Sequence, residues 1–475
     1  MEPVLTPEEM AAVDTAAADC MGELVQRAGW AVAREALEML GGAYGRRVHV
    51  VAGPGNNGAD GRVAVERLRE RGVRATLGAH NQTIPHAPNL DLVIDAAFGT
   101  GLSRPYDPPP LPAGVRVLAV DIPSGLDGRT GVFCGTPWRA DATVTFAALK
   151  TGLLLGHGPD YCGRVRVADI GLSVEAEVGT AGALTRALIT DDDVVRCWPR
   201  RAADAHKWQS AVWVIGGAPG MTGAAALVAE AAGRAGSGYV LVGSPQVDAP
   251  PAPLAPQPPA QLPTEAVTRA LEGTEWPARV ADERRVGALV VGNGLGRGRS
   301  LMDGVVSLMA ASSAPMVLDA DALGGGGSAL VDACAHRPAP TVLTPHDGEY
   351  EALMGEPPGD DRLAATLHLA ERSGSIALLK GPTTVVAAPD GRVRLVSTGD
   401  ERLATAGTGD VLAGMIGAAL ACGADAFEAA ALAAHLHGRA ARRGLRAGFR
   451  AGDLPELVAR VLDELLAGAA VGRAT

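Results

Sequence analysis

Short apolar runs rich in β-branched residues alternate with helix-like patterns along the first part of the chain. The runs that predict strands cover residues 48–52, 73–77, 90–94, 115–120, 142–146 and 164–168. Apolar positions at helical spacing predict two helices within residues 6–40 and another over 61–71. Because several strands run straight into polar loops, the pattern predicts a doubly wound α/β sheet with ligands at the carboxyl ends of its strands.

A second alternation of strands and helices follows a helical connector at about residues 173–205. It opens with a strand over 211–215, the glycine loop 216–223, an alanine-rich helix and a strand over 239–242. The length of 475 residues also exceeds one ordinary core. We therefore predict two α/β domains, residues 1–195 and 196–475. The proline-rich segment 245–263 is predicted to be a loop within the second domain, and the four glycines at 324–327 a flexible turn.

Composition limits the classes of partner. The net charge of −11 and an aromatic content of 3% argue against a nucleic-acid surface. No uncharged apolar run reaches the length of about 18 residues that a membrane-spanning helix needs, and the acidic first residues do not form a signal peptide. Six scattered cysteines indicate free thiols and neither zinc nor disulfides. We expect a cytoplasmic protein without nucleic-acid or membrane partners.

Three polar loops at strand ends are the candidate chemistry of the first domain. Residues 53–60 read G-P-G-N-N-G-A-D, and their glycines let the backbone approach a ligand while Asn56 and Asn57 offer oxygen ligands and amide donors. The acidic residue that completes a dinucleotide fingerprint is missing, so a standard dehydrogenase is disfavoured. Asp95 and Asp121 end two further strands, where aspartate can bind a cation, move a proton or simply cap a turn.

The second domain carries a phosphate-binding pattern. T-A-G-T-G-D ends at Asp410 and opens an apolar helix, so its glycines and the helix N-terminus form an oxyanion cradle. Asp410 can serve there as a base for a hydroxyl group, or merely complement the helix dipole. Lys380 precedes G-P-T-T after an apolar strand and suits a nucleotide contact. Lysine is rare, because only Lys150 and Lys207 accompany it.

Residues 6–172 resemble the NAD(P)H-hydrate epimerase domain in four motifs, G-P-G-N-N-G-A-D, D-A-A-F-G-T-G-L-S-R, V-D-I-P-S-G-L-D and T-F-A-A-L-K-T-G-L. The resemblance implies a Rossmann-like fold, Asp121 as catalytic acid/base, and a potassium ion held by Asn57, Asp95 and Ser124. It implies that the hydrate is bound by Asn56, Asn57, Gly58, Ala59, Asp60, Gly99, Thr100, Gly101, Leu102, Ser103, Arg104 and Asp121. Ala59 replaces the glycine usual in that family.

Residues 204–438 resemble the ribokinase-like fold and, within it, the ADP-dependent NAD(P)H-hydrate dehydratase. The shared motifs include G-N-G-L-G, L-D-A-D-A-L, T-P-H-D-G-E, K-G-P-T-T and A-G-T-G-D-V-L-A-G. The resemblance implies that Asp410 is the catalytic base. The implied hydrate ligands are Ala224, Gly294, His346 and Asp410. The implied nucleotide ligands are Lys380, Gly381, Pro382, Thr383, Thr384 and Gly409. Asn293 stands where proline is common in that family.

Both resemblances imply one substrate and hence a bifunctional isomerase and lyase. It would epimerise the R and S hydrates of NADH and NADPH (NADHX and NADPHX) and dehydrate the S form with ADP, giving NAD(P)H, AMP and phosphate. Potassium at the first site, Mg²⁺ with ADP at the second, and a homo-oligomer are expected. One alternative is a small-molecule hydroxyl kinase of the ribokinase-like class with a regulatory or binding N-terminal domain. Another is a first domain that only binds protein or nucleic acid, against which Asn57, Asp95 and Asp121 argue.

Overall fold

The structure, a computed structural model, describes residues 1–84, 90–175, 184–247 and 261–472. The chain divides into two compact units, of which one covers Glu2–Ala187 and the other Leu188–Thr475. The domain limits at residues 195 and 196 stay a prediction. None of the helices within the described ranges combines the length and the hydrophobicity that crossing a bilayer requires.

The first unit contains a six-stranded parallel sheet. In spatial order its strands are Arg74–Ala79, Arg47–Ala52, Leu92–Ala96, Arg116–Val120, Ala142–Phe146 and Arg164–Ala168. The first of these strands in the sequence, Arg47–Ala52, lies in the sheet between the second, Arg74–Ala79, and the third, Leu92–Ala96. The direction in which strands are added to the sheet therefore reverses beside it. Such a reversal opens a crevice at the carboxyl ends of the strands, and the predicted doubly wound fold is confirmed.

Side chains of successive strand residues alternate between the two faces of this sheet. Val48 and Val50 pack on one face in a core that includes the helices Met21–Leu40 and Asn56–Glu70, whereas Val51 packs on the other face near Tyr106. The remaining helices and strands of the unit are Pro7–Ala16, Ala18–Cys20, Thr151–Leu154, Gly158–Tyr161, Glu2–Leu5 and Leu149–Lys150.

The second unit is built on a larger, mixed sheet. In spatial order its strands are Val267–Thr268, Tyr239–Gly243, Ala211–Ile215, Ala288–Val291, Met316–Leu318, Thr341–Leu343, Ile376–Leu379, Thr384–Ala387 and Val393–Val396. The first seven run parallel, and each of the last two is antiparallel to the strand before it. The central parallel strands are almost entirely apolar and buried, as in sheets that helices cover, which agrees with the predicted α/β class.

One helix of the second unit, Thr408–Ala421, is buried along almost its whole length, and its apolar residues join the central core. The other helices are Asp191–Cys197, Lys207–Ser210, Thr222–Arg234, Trp276–Asp282, Arg299–Ala311, Asp321–Ala335, Asp347–Met354, Arg362–Ser373, Glu401–Leu403, Ala426–Ala441, Ala451–Asp453 and Leu454–Gly472. Short strands Arg186–Leu188, Pro245–Gln246 and Leu271–Glu272 complete the elements.

Two local predictions were wrong. The four glycines at 324–327 do not form a flexible turn: the first three are helical, and Gly327, with φ 55°, forms a kink between two helical parts of Asp321–Ala335. The helix predicted to begin at residue 61 begins at Asn56. Its first turn is made mostly of glycine and polar residues, which lack the apolar spacing from which the start was predicted. The predicted proline-rich loop lies largely outside the described residues, which omit 248–260.

Candidate active sites

A cavity of about 350 Å³ opens at the carboxyl ends of the first unit's strands. Among the residues predicted to bind the hydrate, those that line it are Asn56, Asn57, Asp60, Gly99, Thr100, Gly101, Leu102 and Asp121. Gly58 and Ala59 lie in the first turn of the helix Asn56–Glu70, outside the wall, while Ser103 and Arg104 are exposed beyond it. The three loops predicted to converge therefore lie at one cavity.

Asp121 is the most constrained carboxylate of this cavity. Its backbone has φ 68°, a left-handed conformation that is uncommon for residues other than glycine and clusters at functional sites. Its Oδ1 lies 2.9 Å from the Lys150 ammonium and accepts a hydrogen bond from Thr145, while Oδ2 accepts from the Thr100 amide. Burial would raise the pKa of Asp121, but the charge and hydrogen bonds of Lys150 bring it below its ordinary value.

Lys150 was not predicted as a site residue. Its side chain is 1% exposed, and Nζ donates to the Thr145 hydroxyl and the Phe146 carbonyl, both at 2.8 Å, in addition to its ion pair with Asp121. A buried lysine is costly unless it is paired. Two sequence signals pointed to it: lysine is scarce in this chain, and Lys150 lies in the motif T-F-A-A-L-K-T-G-L.

Two further carboxyl groups line the same cavity. Burial raises the pKa of Asp60 to about 8, and the charges of Asp121 and Asp14 add to that effect. Burial also raises the pKa of Asp14, which lies in the helix Pro7–Ala16 outside every predicted motif. The cavity thus sets an ionised carboxylate, Asp121, beside a carboxylic acid that stays protonated at neutral pH, Asp60.

The glycine loop shapes this wall by close backbone contacts. A Cβ added at Gly99 would lie 2.8 Å from the Asp121 carboxylate, and one at Gly53 would lie 1.8 Å from the Ala97 carbonyl oxygen. Asn57 donates from Nδ2 to the Val120 carbonyl at 3.0 Å, which joins the helix start to the strand that ends at Asp121. Close backbone contacts and the Asn57 side chain therefore hold the loops in place.

The contrast between two loop glycines gives a test of this packing. A Cβ at Gly58 would lie 1.9 Å from the Gly53 carbonyl oxygen, whereas one at Gly55 meets open space. We expect Gly58→Ala to destabilise the protein by about 3 kcal/mol, because only backbone atoms can move. Gly55→Ala is the matched control and should cost no more than about 1 kcal/mol. Denaturant unfolding measures both, and equal effects would contradict the packing.

Of the three residues predicted to hold a cation, Asn57 lines this wall, whereas Asp95 and Ser124 are outside the cavity lining. Asp95 is buried, and Ser124 donates to it from both its hydroxyl, at 2.6 Å, and its amide, at 2.8 Å. The Ser124 oxygen also accepts from the Phe98 amide. Burial raises the pKa of Asp95 despite these hydrogen bonds. The structure thus brings Asp95 and Ser124 together, with Asn57 in the adjoining helix turn.

The candidate site of the second unit lies at the start of the helix Thr408–Ala421. Gly407 caps this helix with φ 95°, and Asp410 lies in its first turn, where backbone amides have no partners within the helix. Burial raises the pKa of Asp410 to about 6. The neighbouring His437 contacts the Thr408 carbonyl at 2.9 Å, and burial lowers its pKa to about 4, so it is neutral at physiological pH.

A hydrogen-bonded network connects Asp410 to the lysine of the predicted nucleotide loop. Asn293 donates from Nδ2 to Asp410 at 2.7 Å and to Asp319 at 2.9 Å. The other oxygen of Asp319 accepts from Lys380 at 2.9 Å and from Thr344 at 2.8 Å. Burial lowers the pKa of Lys380, but the charges of Asp319 and Glu349 outweigh that effect and raise it.

The other predicted residues of this unit surround the network. A Cβ on Gly409 would lie 3.5 Å from the Lys380 ammonium, and one on Gly294 would lie 3.2 Å from the Ala224 methyl group. His346 is exposed and caps the helix Asp347–Met354; Glu349 of that helix lies 3.5 Å from Lys380. Gly381 and Pro382 are exposed in the turn that follows Lys380, and Thr383 and Thr384 lead into the next strand.

Sequence reasoning missed three members of this network. They are Asn293, Asp319 and Glu349, which lie in the motifs G-N-G-L-G, L-D-A-D-A-L and T-P-H-D-G-E but are not among the predicted site residues. For Asn293 and Asp319, the position in the sequence could have indicated a site. They follow the neighbouring parallel strands Ala288–Val291 and Met316–Leu318. Such strand ends meet at one sheet edge.

Comparison with known proteins identifies a family for each of the two units. The profile of the NAD(P)H-hydrate dehydratase family matches residues 212–463. The profile of the YjeF-related protein N-terminus matches residues 21–88 and 77–152. The two matches cover the units in which the cavity and the network lie.

Individual relatives match over most of the chain. A bifunctional NAD(P)H-hydrate repair enzyme of Salinibacter ruber is 35% identical over 93% of this chain and 92% of its own. One of Mycobacterium tuberculosis is 37% identical over 86% of this chain and 87% of its own. The ADP/ATP-dependent NAD(P)H-hydrate dehydratase from Bacillus subtilis, solved with ATP and Mg²⁺, covers 59% of this chain and 98% of its own at 29% identity and TM-score 0.50. The chain therefore belongs to the family of bifunctional NAD(P)H-hydrate repair enzymes.

Proposed function

We propose that the two sites act in series on hydrated nicotinamide cofactors. The first unit epimerises the R and S forms of NAD(P)H hydrate, and the second dehydrates the S form with ADP, which gives NAD(P)H, AMP and phosphate. Family membership supports both activities. The observation that carries the residue assignment is that each unit sets one partly buried aspartate, Asp121 or Asp410, beside a glycine-rich loop with its own polar partner.

Epimerisation requires that the hydroxyl group leave carbon six of the ring and that water return on the other face. The ring nitrogen adjoins this carbon, so its lone pair can expel the hydroxyl as water once an acid has protonated it. Asp60, protonated at neutral pH, is suited to give that proton, and the ionised Asp121 is suited to take one from the incoming water. One carbon–oxygen bond breaks and an equivalent one forms.

Potassium is the cofactor that we assign to the first unit, with Asn57, Asp95 and Ser124 as its ligands. The donor set fits, because hard cations favour carboxylate, amide and hydroxyl oxygens. Among the described residues, no lysine or arginine pairs with the buried Asp95, whose contacts are with Ser124 and the Ala97 amide. A bound ion would supply the positive charge that this carboxylate lacks and would fix the loop after it.

Dehydration begins when Asp410 removes the proton of the hydroxyl group at carbon six. The hydroxyl oxygen then bonds to the terminal phosphoryl group of ADP as the bond to AMP breaks. Phosphate leaves carbon six while carbon five loses a proton, which restores the ring double bond. The amides at the start of the helix Thr408–Ala421 and the charge of Lys380 stabilise the transferred group. Mg²⁺ comes with the nucleotide phosphates, and we assign it no protein ligand.

One assay tests the proposal. Mixed R and S hydrates are incubated with ADP, with and without potassium, while the absorbance of reduced nicotinamide and the release of AMP are followed. We expect the reduced cofactor to be recovered completely, with one AMP released for each hydrate molecule. Potassium should speed the conversion of the R form to the S form. A stable phosphorylated hydrate without recovered absorbance would instead indicate a kinase. A homo-oligomeric state and a cytoplasmic location stay predictions.

A further inference from the structure

Asn293 occupies a buried position between the two carboxylates of the second unit's site. It follows the strand Ala288–Val291, and its neighbours Gly292 and Gly294 have φ values of 120° and 63°, which only glycine adopts readily. Its carbonyl accepts from the Gly217 amide at 3.0 Å, and its side chain is fully buried. The backbone on both sides thus fixes the direction of this side chain.

The side-chain amide of Asn293 forms hydrogen bonds through its nitrogen and not through its oxygen. Its Nδ2 uses both protons, one for Asp410 at 2.7 Å and one for Asp319 at 2.9 Å, while its buried Oδ1 finds no hydrogen-bond partner in the part of the chain that the structure describes. The amide can only be oriented this way, because an oxygen facing two carboxylates would be repelled. A buried polar atom left without a partner costs free energy, so both donated bonds must outweigh that cost.

We propose that Asn293 is a positioning residue for Asp410: it fixes the rotamer of the carboxylate and favours its ionised form over the protonated one. This inference rests on the proposed role of Asp410 as the base. An amide donates a proton without losing it, so the bond persists through the reaction.

The other groups around Asp410 do not replace this donor. Burial and the charges of Asp319 and Asp321 oppose ionisation of Asp410, while Lys380 favours it from a distance, since its ammonium is engaged with Asp319. Glu349 faces Lys380, and the buried His437 faces the Thr408 carbonyl from the helix Ala426–Ala441. Asn293 is the hydrogen-bond donor that acts on the base directly.

The test is the pH dependence of dehydration, measured as kcat/KM for the S hydrate with saturating ADP. Asn293→Leu removes the donor and admits no water, so its acidic limb should move up by about one pH unit, roughly a tenfold loss of activity below pH 6. Asn293→Ala admits a water that donates in part, and its shift should be smaller. Ser373→Ala is the matched control, because it also removes a buried hydrogen-bond donor, one that serves the Leu369 carbonyl within the helix Arg362–Ser373 and not the network at Asp410; its acidic limb should stay in place.

Two outcomes separate this inference from the proposed function. If Asp410→Asn retains dehydration, the proposed function fails. If Asp410→Asn is inactive but both Asn293 variants keep the acidic limb of the unchanged protein, the positioning role of Asn293 is overturned. A loss of activity at all pH values without a shifted limb would likewise overturn it, because it would indicate a structural role alone. Asn293→Ala keeps the test decisive if the leucine variant does not fold.

Discussion

Replacement of Asp410 by asparagine should abolish dehydration of the S hydrate while ADP still binds. General bases contribute about 10²–10⁴-fold to rate, and an amide cannot accept the hydroxyl proton. The new side chain has the same shape, and its oxygen can still accept the bond that Asn293 donates at 2.7 Å. The loop and the helix start should therefore persist. Recovery of reduced nicotinamide measures the first effect and calorimetric titration with ADP the second.

Asp321→Asn is the matched control for this variant. Asp321 is a neighbouring acidic residue whose oxygens pair with Arg297 at 2.9 Å and with the Gly296 amide at 3.0 Å. It should retain dehydration within severalfold. In the unchanged protein, kcat/KM should fall as the pH drops through about 6, because Asp410 must be ionised to act and burial has raised its pKa to that value. Turnover by Asp410→Asn at the unchanged rate would exclude it as the base.

The sequence predicted the architecture because the relevant signals are local. Apolar runs of five or six residues mark buried parallel strands, and the loops after 48–52, 90–94 and 115–120 meet at one edge once a doubly wound sheet is assumed. The structure places Asn57, Gly99 and Asp121 around one cavity, as that argument required. The two fold classes and the bifunctional family are confirmed; the roles of the individual residues stay predictions.

The residues that sequence reasoning missed act through partners far away in the chain. Lys150 follows the strand Ala142–Phe146, which ends beside Asp121, and so its ammonium reaches that carboxylate. Asp14 lies in the helix Pro7–Ala16, which contributes to the wall of the same cavity. Neither helical nor strand periodicity encodes such contacts. The register of a parallel sheet, set by apolar packing over the whole unit, decides which side chains meet.

Replacement of Asp121 by asparagine should stop epimerisation while dehydration of the S hydrate continues. We expect the conversion of R to S to fall by about 10²–10⁴-fold, because asparagine cannot take the proton of the incoming water. Asparagine tolerates the left-handed backbone that residue 121 adopts, at φ 68°. Lys150 keeps its bonds to Thr145 and Phe146, so the cavity should stay folded, although less stable.

The bifunctional chain supplies its own control for this variant. With mixed hydrates and ADP, the variant should show two phases of reduced-cofactor recovery. The S form is dehydrated in a fast phase, and the R form follows in a slow phase whose rate is that of uncatalysed epimerisation. Asp107→Asn, which alters an exposed carboxylate bonded to Thr136, should leave a single complete phase. The fast phase proves that the second unit still works in the same molecule, so the loss of rapid recovery from the R form cannot be blamed on general unfolding. Complete rapid recovery by Asp121→Asn would show that another group, with Asp60 the first to examine, takes the proton of the incoming water.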